Sequence, residues 1–390
     1  MTQSRLKKTQ GKKQKQRFYW SLVFILLLGI GIGSVASLFI TSHEAKNDES
    51  SKSTTTSDSA KTNAKAPLKP NNPVKANEVP EKAIDEYLKK SGFVGSVYIE
   101  DKGKFVLEKG YGYSDLASGR KNTTSSVYYI GSMQKAMVAT AFMQLVERGL
   151  VRLDDPIAKY IPSFPNGQKI KIVNFLGHTT GMKPRHEGNN PITPYRIIRE
   201  IEKAGIETQP GKWQYADDNY SVIAYLIQTI SGVEFENYME QHIFVPAGMS
   251  GAGFYTTYNT NFMHTESYLR ENGKIINAPV RQDLSQLFGA GDIYMATQDI
   301  KKFDDALLGG KLVGKESVAR MLKKGPGKYG FGFYDLGNHY IAHGVLAGYE
   351  AGNAFTKDRK KFVILLSNAR TKAKSDYQYT QDILAIMNKN

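Results

Sequence analysis

The alternation of apolar and polar positions divides the chain into stretches of different kind. From Phe18 to Thr41 no charged residue occurs, and Leu, Ile, Val and Phe dominate. These 24 residues, at about 1.5 Å of rise each, cover a hydrocarbon core of ~30 Å, so a transmembrane anchor is expected over 18–41. Residues 42–79 are rich in Ser, Thr, Asn, Lys, Ala and Pro, with almost no large apolar side chain. Such a segment cannot bury enough surface to offset its ordering entropy and reads as a disordered linker. The folded domain is expected over 80–390. A helix is predicted for 83–90, with Ile84, Tyr87 and Leu88 on one face, followed by strands at 93–99 and 104–107 around a turn at Asp101-Lys-Gly103. Helical and loop segments then run to about 285. The end is strand-rich again, at 329–334, 340–343 and 361–366, before a helix at 377–387. Strands at both ends with helices between them predict an α+β fold: one antiparallel sheet completed by distant segments, flanked by helices, with a mostly helical subdomain.

One stretch changes period abruptly. Tyr128-Tyr-Ile reads as a short buried strand ending at Gly131. Met133, Met137, Ala141 and Leu145 then recur every four residues, with Val138, Phe142 and Val146 beside them, and Gly149 closes the pattern. The first turn of this apolar helix carries Ser132 and Lys135, which at i and i+3 share a face. Desolvation pushes a buried lysine toward its neutral form. A neutral Lys135 is then placed to take the proton of Ser132 and leave a nucleophile, with the helix N-terminus favouring the negative charge that develops. The same Ser-x-x-Lys spacing at Ser4–Lys7 and Ser118–Lys121 is accounted for by a basic tail and a turn.

Composition narrows the chemistry. The chain has no cysteine, which excludes disulfides, thiol catalysis, cysteine-ligated metals and a lipidated cysteine. The net charge is +15, of which residues 1–17 supply seven Lys/Arg and no acid, leaving 15 − 7 = +8 for the rest. That basic tail beside an apolar span places the N-terminus in the cytoplasm and residues beyond 42 outside, so the expected location is a single-pass cell-membrane protein with an extracellular catalytic domain. Ser34-Val-Ala36 also fits a signal cleavage site, but the apolar run continues through Leu38-Phe-Ile40 and favours a retained anchor. No cluster of basic and aromatic residues suggests nucleic-acid binding, and the mild basic excess suits an anionic polymer instead. Neither Gly-x-Ser-x-Gly nor His-Glu-x-x-His occurs, and the seven histidines show no metal-ligand spacing, so neither a metal nor another cofactor is expected. Gly325-Pro-Gly-Lys-Tyr-Gly330 has dinucleotide-fingerprint spacing but precedes an aromatic strand, and reads as a turn.

Several motifs fall in a fixed order: Ile130-Gly-Ser-Met-Gln-Lys135, Leu153-Asp-Asp-Pro-Ile-Ala-Lys-Tyr-Ile-Pro162, Leu176-Gly-His-Thr-Thr-Gly181, Gln209-Pro-Gly-Lys-Trp-Gln-Tyr-Ala-Asp-Asp-Asn-Tyr220, Gly289-Ala-Gly-Asp-Ile-Tyr-Met295 and His343-Gly344. Over roughly 82–390 the chain resembles the serine β-lactamase and penicillin-binding-protein family, in its class C-like, DD-peptidase-like branch. That resemblance implies a β-lactamase/transpeptidase-like sheet, a helical subdomain, a cleft between them, and acyl transfer to Ser132 followed by hydrolysis. It places the family's Tyr-x-Asn motif on Tyr215-Ala-Asp217, with Tyr215 relaying a proton together with Lys135. Asn219 is the alternative for the third position. The third motif, Lys-Thr-Gly or His-x-Gly, falls on His343-Gly344-Val345, with His343 expected where the family has lysine and Val345 in place of a glycine. Oxyanion donors are expected at the N–H of Ser132 and at one near Val345 or Leu346. His178, within a family motif, reads as structural.

Two departures bear on the substrate. Asp217 replaces an amide with a carboxylate that only accepts hydrogen bonds, and the third motif has no lysine. Together with the anchor, these features most resemble the FmtA-type teichoic-acid D-alanine esterases. Asp217 is expected to repel the C-terminal carboxylate of a peptide or β-lactam and to attract the free ammonium of a D-alanyl ester. Expected partners are therefore a cell-wall polymer, teichoic acid or peptidoglycan, with β-lactam binding a possible side reaction. A DD-carboxypeptidase and a catalytically inert wall-binding protein are the alternatives.

Overall fold

The computed structural model describes residues 78–389. The basic tail at 1–17, the apolar span at 18–41 and the linker up to residue 77 lie outside them. Residues 78 and 79, read from sequence as the end of the linker, already belong to the first helix. Among the described residues no helix is long and apolar enough to cross a membrane.

Six strands build one antiparallel sheet: β1 (Gly95–Asp101), β2 (Lys104–Tyr111), β3 (Tyr334–Asp335), β4 (His339–Leu346), β5 (Tyr349–Thr356) and β6 (Lys361–Ser367). Their order is β3-β4-β5-β6-β1-β2, so the N-terminal hairpin completes a sheet whose other strands come from the C-terminal end. β1 pairs with β6 from Gly95↔Ser367 to Asp101↔Lys361. One face is covered by α1 (Glu78–Lys90) and, from the chain's end, α6 (Asp376–Asn388). Ile84, Leu88, Val97, Val363, Leu365 and Ile383 form the core there. Against the other face lie α5 (Thr297–Leu308) and the helical subdomain. That subdomain contains α2 (Gln134–Glu147), α3 (Pro194–Ala204) and α4 (Asp218–Ser231), with α2 and α4 packed together. The larger core runs through it without a break, from Tyr128 and Phe142 to Tyr220, Ile227 and Phe303. The α+β architecture expected from sequence is the one observed.

Two predicted elements differ. Of the stretch 329–334 only Tyr334 joins the sheet, together with Asp335 just beyond it. Gly332 sits at φ +88°, where a Cβ would stand 2.3 Å from Ala136 Cα, so the chain here is a turn pressed onto α2 rather than a strand. The second difference is β5, which the sequence reading missed. Its side chains are buried along nearly its whole length although it carries Glu350, Gly352 and Asn353, and no alternation marks it.

Candidate active site

Ser132 lies in a single 3-10 turn, Gly131–Met133, between the short strand Tyr128–Tyr129 and α2. Gly131 adopts φ +50°, and a Cβ there would stand 2.7–2.9 Å from the backbone of Val345. Gly344 is held more closely still: a Cβ would lie 1.9 Å from Ile130 O and 2.8 Å from Ser132 N. The nucleophile's turn therefore packs directly on β4, backbone against backbone, and both glycines are required by contact.

Lys135 is fully buried in the first turn of α2. Its Nζ donates to Ser132 Oγ at 2.9 Å and to Ala290 O at 3.1 Å. It forms an ion pair with Asp217 Oδ1 at 2.7 Å. That contact is electrostatic rather than a well-aligned hydrogen bond, since Oδ1 is buried and receives no donor in good geometry. Burial pulls Lys135 toward its neutral form, but the electrostatic influence of the Tyr215 oxygen and the Asp217 carboxylate outweighs it and holds the pKa above the ordinary lysine value. This corrects the sequence expectation: in the resting site Lys135 is an ammonium. The expectation weighed desolvation without the partner that the fold supplies.

Tyr215 flanks the same ammonium, with Nζ 5.1 Å from its ring centre. The loop carrying it is fastened to the segment before it, with Gln214 N–H donating to His178 O at 2.8 Å and Gly211 N–H to Thr179 O at 2.8 Å. His178 is wholly buried and its ring lies 4.3 Å from that of Tyr215. Burial and the nearby Lys135 charge hold its pKa well below the usual histidine value, so it is a neutral support for the tyrosine. Asp217 stands just ahead of α4 with its side chain 36% exposed. Asn219, the alternative for that motif position, is buried and bonds Thr180 and Ala216, which makes it a structural residue.

The third motif is arranged differently from expectation. Antiparallel pairing sets Val345 opposite Glu350 and His343 opposite Gly352. Residues at i and i+2 share a face of a strand, so His343 and Val345 lie on one face and Gly344 on the other. Gly344 faces Ser132, whereas Gly352, on the face of His343, would meet Asp376 and Thr380 of α6. The imidazole of His343 accordingly turns to the back of the sheet, where Nε2–H donates to the buried Glu350 Oε1 at 2.8 Å. It does not occupy the place of the family's lysine. The hydrogen bond from Leu336 N–H to His339 O, and the pairing of Tyr334 with Ile341, put the backbone groups of odd-numbered β4 residues on the β3 side. β3 ends long before Val345, so the Val345 N–H lies on an open edge against Gly131. Leu346, of the other parity, addresses β5. Of the two oxyanion candidates, Val345 is the one beside Ser132.

Sequence reasoning gave no role to two neighbours of the site. Ala290 O is a lysine acceptor, and it belongs to the Gly289-Ala-Gly motif. Gln134 ties that motif down: its Nε2 donates to Asp292 Oδ1 at 2.5 Å and its Oε1 accepts from Ile293 N at 3.0 Å. Burial pushes the Asp292 carboxyl up to about 7, with Gln134 opposing.

A nucleophile-bearing helix turn, a lysine bonded to its hydroxyl, a flanking tyrosine and a backbone N–H edge are the parts of an acyl-transfer site. The beta-lactamase family matches this chain over residues 81–386. PbpX of Bacillus subtilis (strain 168), described as a candidate penicillin-binding protein, is 46% identical over 292 residues, covering 75% of this chain and 74% of the relative. A teichoic acid D-alanine hydrolase of Staphylococcus aureus (strain MRSA252) is 32% identical over 262 residues, covering 65% of either chain. The crystal structure of FmtA from Staphylococcus aureus superposes with a TM-score of 0.74 at 26% identity, over 81% of this chain and 88% of that one. The chain thus belongs to the serine β-lactamase and penicillin-binding-protein family and is a serine hydrolase.

Proposed function

We propose that this protein is a membrane-anchored extracellular esterase that removes D-alanyl groups from teichoic acids through an acyl-enzyme on Ser132. The observation that carries the reading is the charge of the cleft. The face of β4 turned to Ser132 presents Ala342 and Gly344, while His343 is turned away onto Glu350. The strand offers no cation to a substrate carboxylate, and Asp217 sets an acid beside the nucleophile. Such a site disfavours a peptide or β-lactam carboxylate and accepts an acyl group that carries an ammonium. The similarity to a D-alanine hydrolase points the same way.

In the proposed reaction Lys135 first yields its proton to solvent water by way of the partly exposed Asp217 carboxylate, since an ammonium donating to Ser132 Oγ cannot also act as base. Ser132 Oγ then bonds to the ester carbonyl carbon while its proton passes to Lys135. The N–H groups of Ser132 and Val345 receive the oxyanion. Tyr215, beside Lys135, returns a proton to the departing polyol oxygen as the ester C–O bond breaks. Water releases D-alanine from Ser132 by the same steps reversed. Full-length protein incubated with D-alanylated teichoic acid is expected to release D-alanine, and Ser132→Ala is expected to abolish that release. Cleavage of a D-Ala-D-Ala peptide without action on the ester decides for the DD-carboxypeptidase instead.

A further inference from the structure

Antiparallel strands alternate between residue pairs that exchange backbone hydrogen bonds and pairs that do not. In the β4–β5 hairpin, Gly344↔Ala351 and Leu346↔Tyr349 have the parity that bonds across, and Val345↔Glu350 between them has the other. The backbone of Val345 is thereby left to the open edge beside Ser132, and no ladder bond holds it to β5. The tip of the hairpin is fixed separately: Gly348 N–H donates to Ser267 Oγ at 3.0 Å, and Gly348 O accepts from Arg370 N–H at 3.0 Å. At the unbonded pair the crossing is made by side chains. His343 Nε2–H on β4 donates to Glu350 Oε1 on β5 at 2.8 Å, diagonally past Val345. The carboxylate is buried, and the imidazole stands edge-on to Tyr377 of α6 with ring centres 6.2 Å apart.

We infer that His343 and Glu350 are a positioning pair, which holds the Val345 N–H at the oxyanion site by tying β4 to β5 where the backbone ladder leaves a gap. Gly344, between His343 and Val345, is pressed against Ile130 O and Ser132 N. A rotation of β4 at this point therefore shifts the Val345 donor relative to the nucleophile's turn. An oxyanion donor works only within about 2.7–3.1 Å of the charge it receives, and removing one outright costs about 10²–10³ in rate. A donor that is displaced rather than removed forfeits part of that. Both members of the pair lie on the sheet face turned away from Ser132, so they act through Val345 and touch no substrate. The inference rests on the acyl-transfer step proposed above and is independent of which ester or amide supplies the acyl group.

The test is saturation labelling of the full-length protein with a neutral alkyl fluorophosphonate. Ser132 Oγ bonds to phosphorus, fluoride leaves, the serine proton passes to Lys135, and the phosphoryl oxygen takes the oxyanion position. The maximal rate kinact and the half-saturating concentration KI are read separately, and the labelled fraction at completion counts folded molecules. His343→Asn keeps a polar side chain at a partly exposed position but withdraws the Nε2 donor. It is expected to lower kinact about tenfold and leave KI within about twofold. Glu350→Ala is expected to do the same, and the double variant to lose about tenfold again rather than a hundredfold, because the two residues act as a unit. Glu350→Gln keeps the acceptor and is expected to stay within about threefold of wild type. An unchanged kinact in His343→Asn, or losses that multiply in the double variant, overturns the inference and leaves Ser132 as nucleophile. A loss of thermal stability with kinact per folded molecule unchanged overturns it as well, by making the pair merely structural. If Glu350→Ala does not fold, His343→Asn and Glu350→Gln decide alone, and equal losses in these two overturn the inference. A wild type left unlabelled at Ser132 overturns the acyl-transfer reading and this inference together.

Discussion

Replacing Asp217 by Asn tests the ion pair that distinguishes this site. The change keeps the shape and removes the charge partner of Lys135. At 2.7 Å and an effective dielectric of about 20, the gross attraction is roughly 6 kcal/mol. Asp217 is 36% exposed, so screening and desolvation reduce this to the size of a charge-assisted hydrogen bond, roughly 1.5–3 kcal/mol. At about 1.36 kcal/mol per unit, the Lys135 pKa then falls by about one to two units. The sign follows from the direction of the native shift. Asp217 raises the lysine pKa, so its loss lets desolvation act and makes the neutral base available at lower pH. The assay is the rate of Ser132 labelling by a neutral fluorophosphonate, followed from about pH 6 to pH 10. Asp217→Asn is expected to move the rising limb of the profile down by about one to two units, with about a ten- to hundredfold faster reaction below the limb. A limb that stays in place, or a rate reduced at every pH, refutes the argument that Asp217 holds the lysine charged.

Gly344→Ala sets a Cβ 1.9 Å from Ile130 O, a backbone atom that cannot swing aside. Overpacking of about 1–3 kcal/mol is expected in denaturant unfolding, and labelling of Ser132 should fall at least about tenfold as β4 is pushed off its turn; wild-type labelling contradicts the packing described. Asp304 in α5 is buried and accepts from Asn353 at 3.0 Å, and burial raises its carboxyl to about 8. A raised folded pKa means that this group's stabilisation is complete below its unfolded value of about 3.9 and is lost as pH rises toward 8, at up to about 1.4 kcal/mol per pH unit. Asp304→Asn should flatten the fall in unfolding free energy over this range, and equal slopes for variant and wild type would count against it. For topology, protease added outside intact cells should cut within 42–79 and release an active fragment, and a protected domain would reverse the proposed orientation.

Much of this was legible in the residues themselves. The strand, glycine and apolar helix around Ser132 announced the nucleophile because a change of period from two to nearly four is a local property. The closing of the sheet by both ends of the chain followed from where the strand patterns lay. What escaped depends on partners distant in sequence. β5 escaped because its interior is built from Ala, Gly, Asn and Glu, whose burial makes sense only once Gly352 meets α6, Asn353 meets Asp304 and Glu350 meets His343. The direction of His343 was missed because the motif fixes its place in the chain but not the phase of the strand. That phase is set by Gly344, the residue that fits under Ile130 O. The charge state of Lys135 was missed for a similar reason: Asp217 was recognised as part of the site, but spacing alone did not reveal that it meets the lysine.

The central claim, that Ser132 carries the acyl group of a D-alanyl ester, is tested most directly by acid-quenched intact-protein mass spectrometry. Full-length protein mixed with D-alanylated teichoic acid should gain the mass of one D-alanyl group, located on the peptide containing Ser132 and missing in Ser132→Ala. D-alanine release with no adduct on that peptide, or an unchanged adduct in Ser132→Ala, would contradict it.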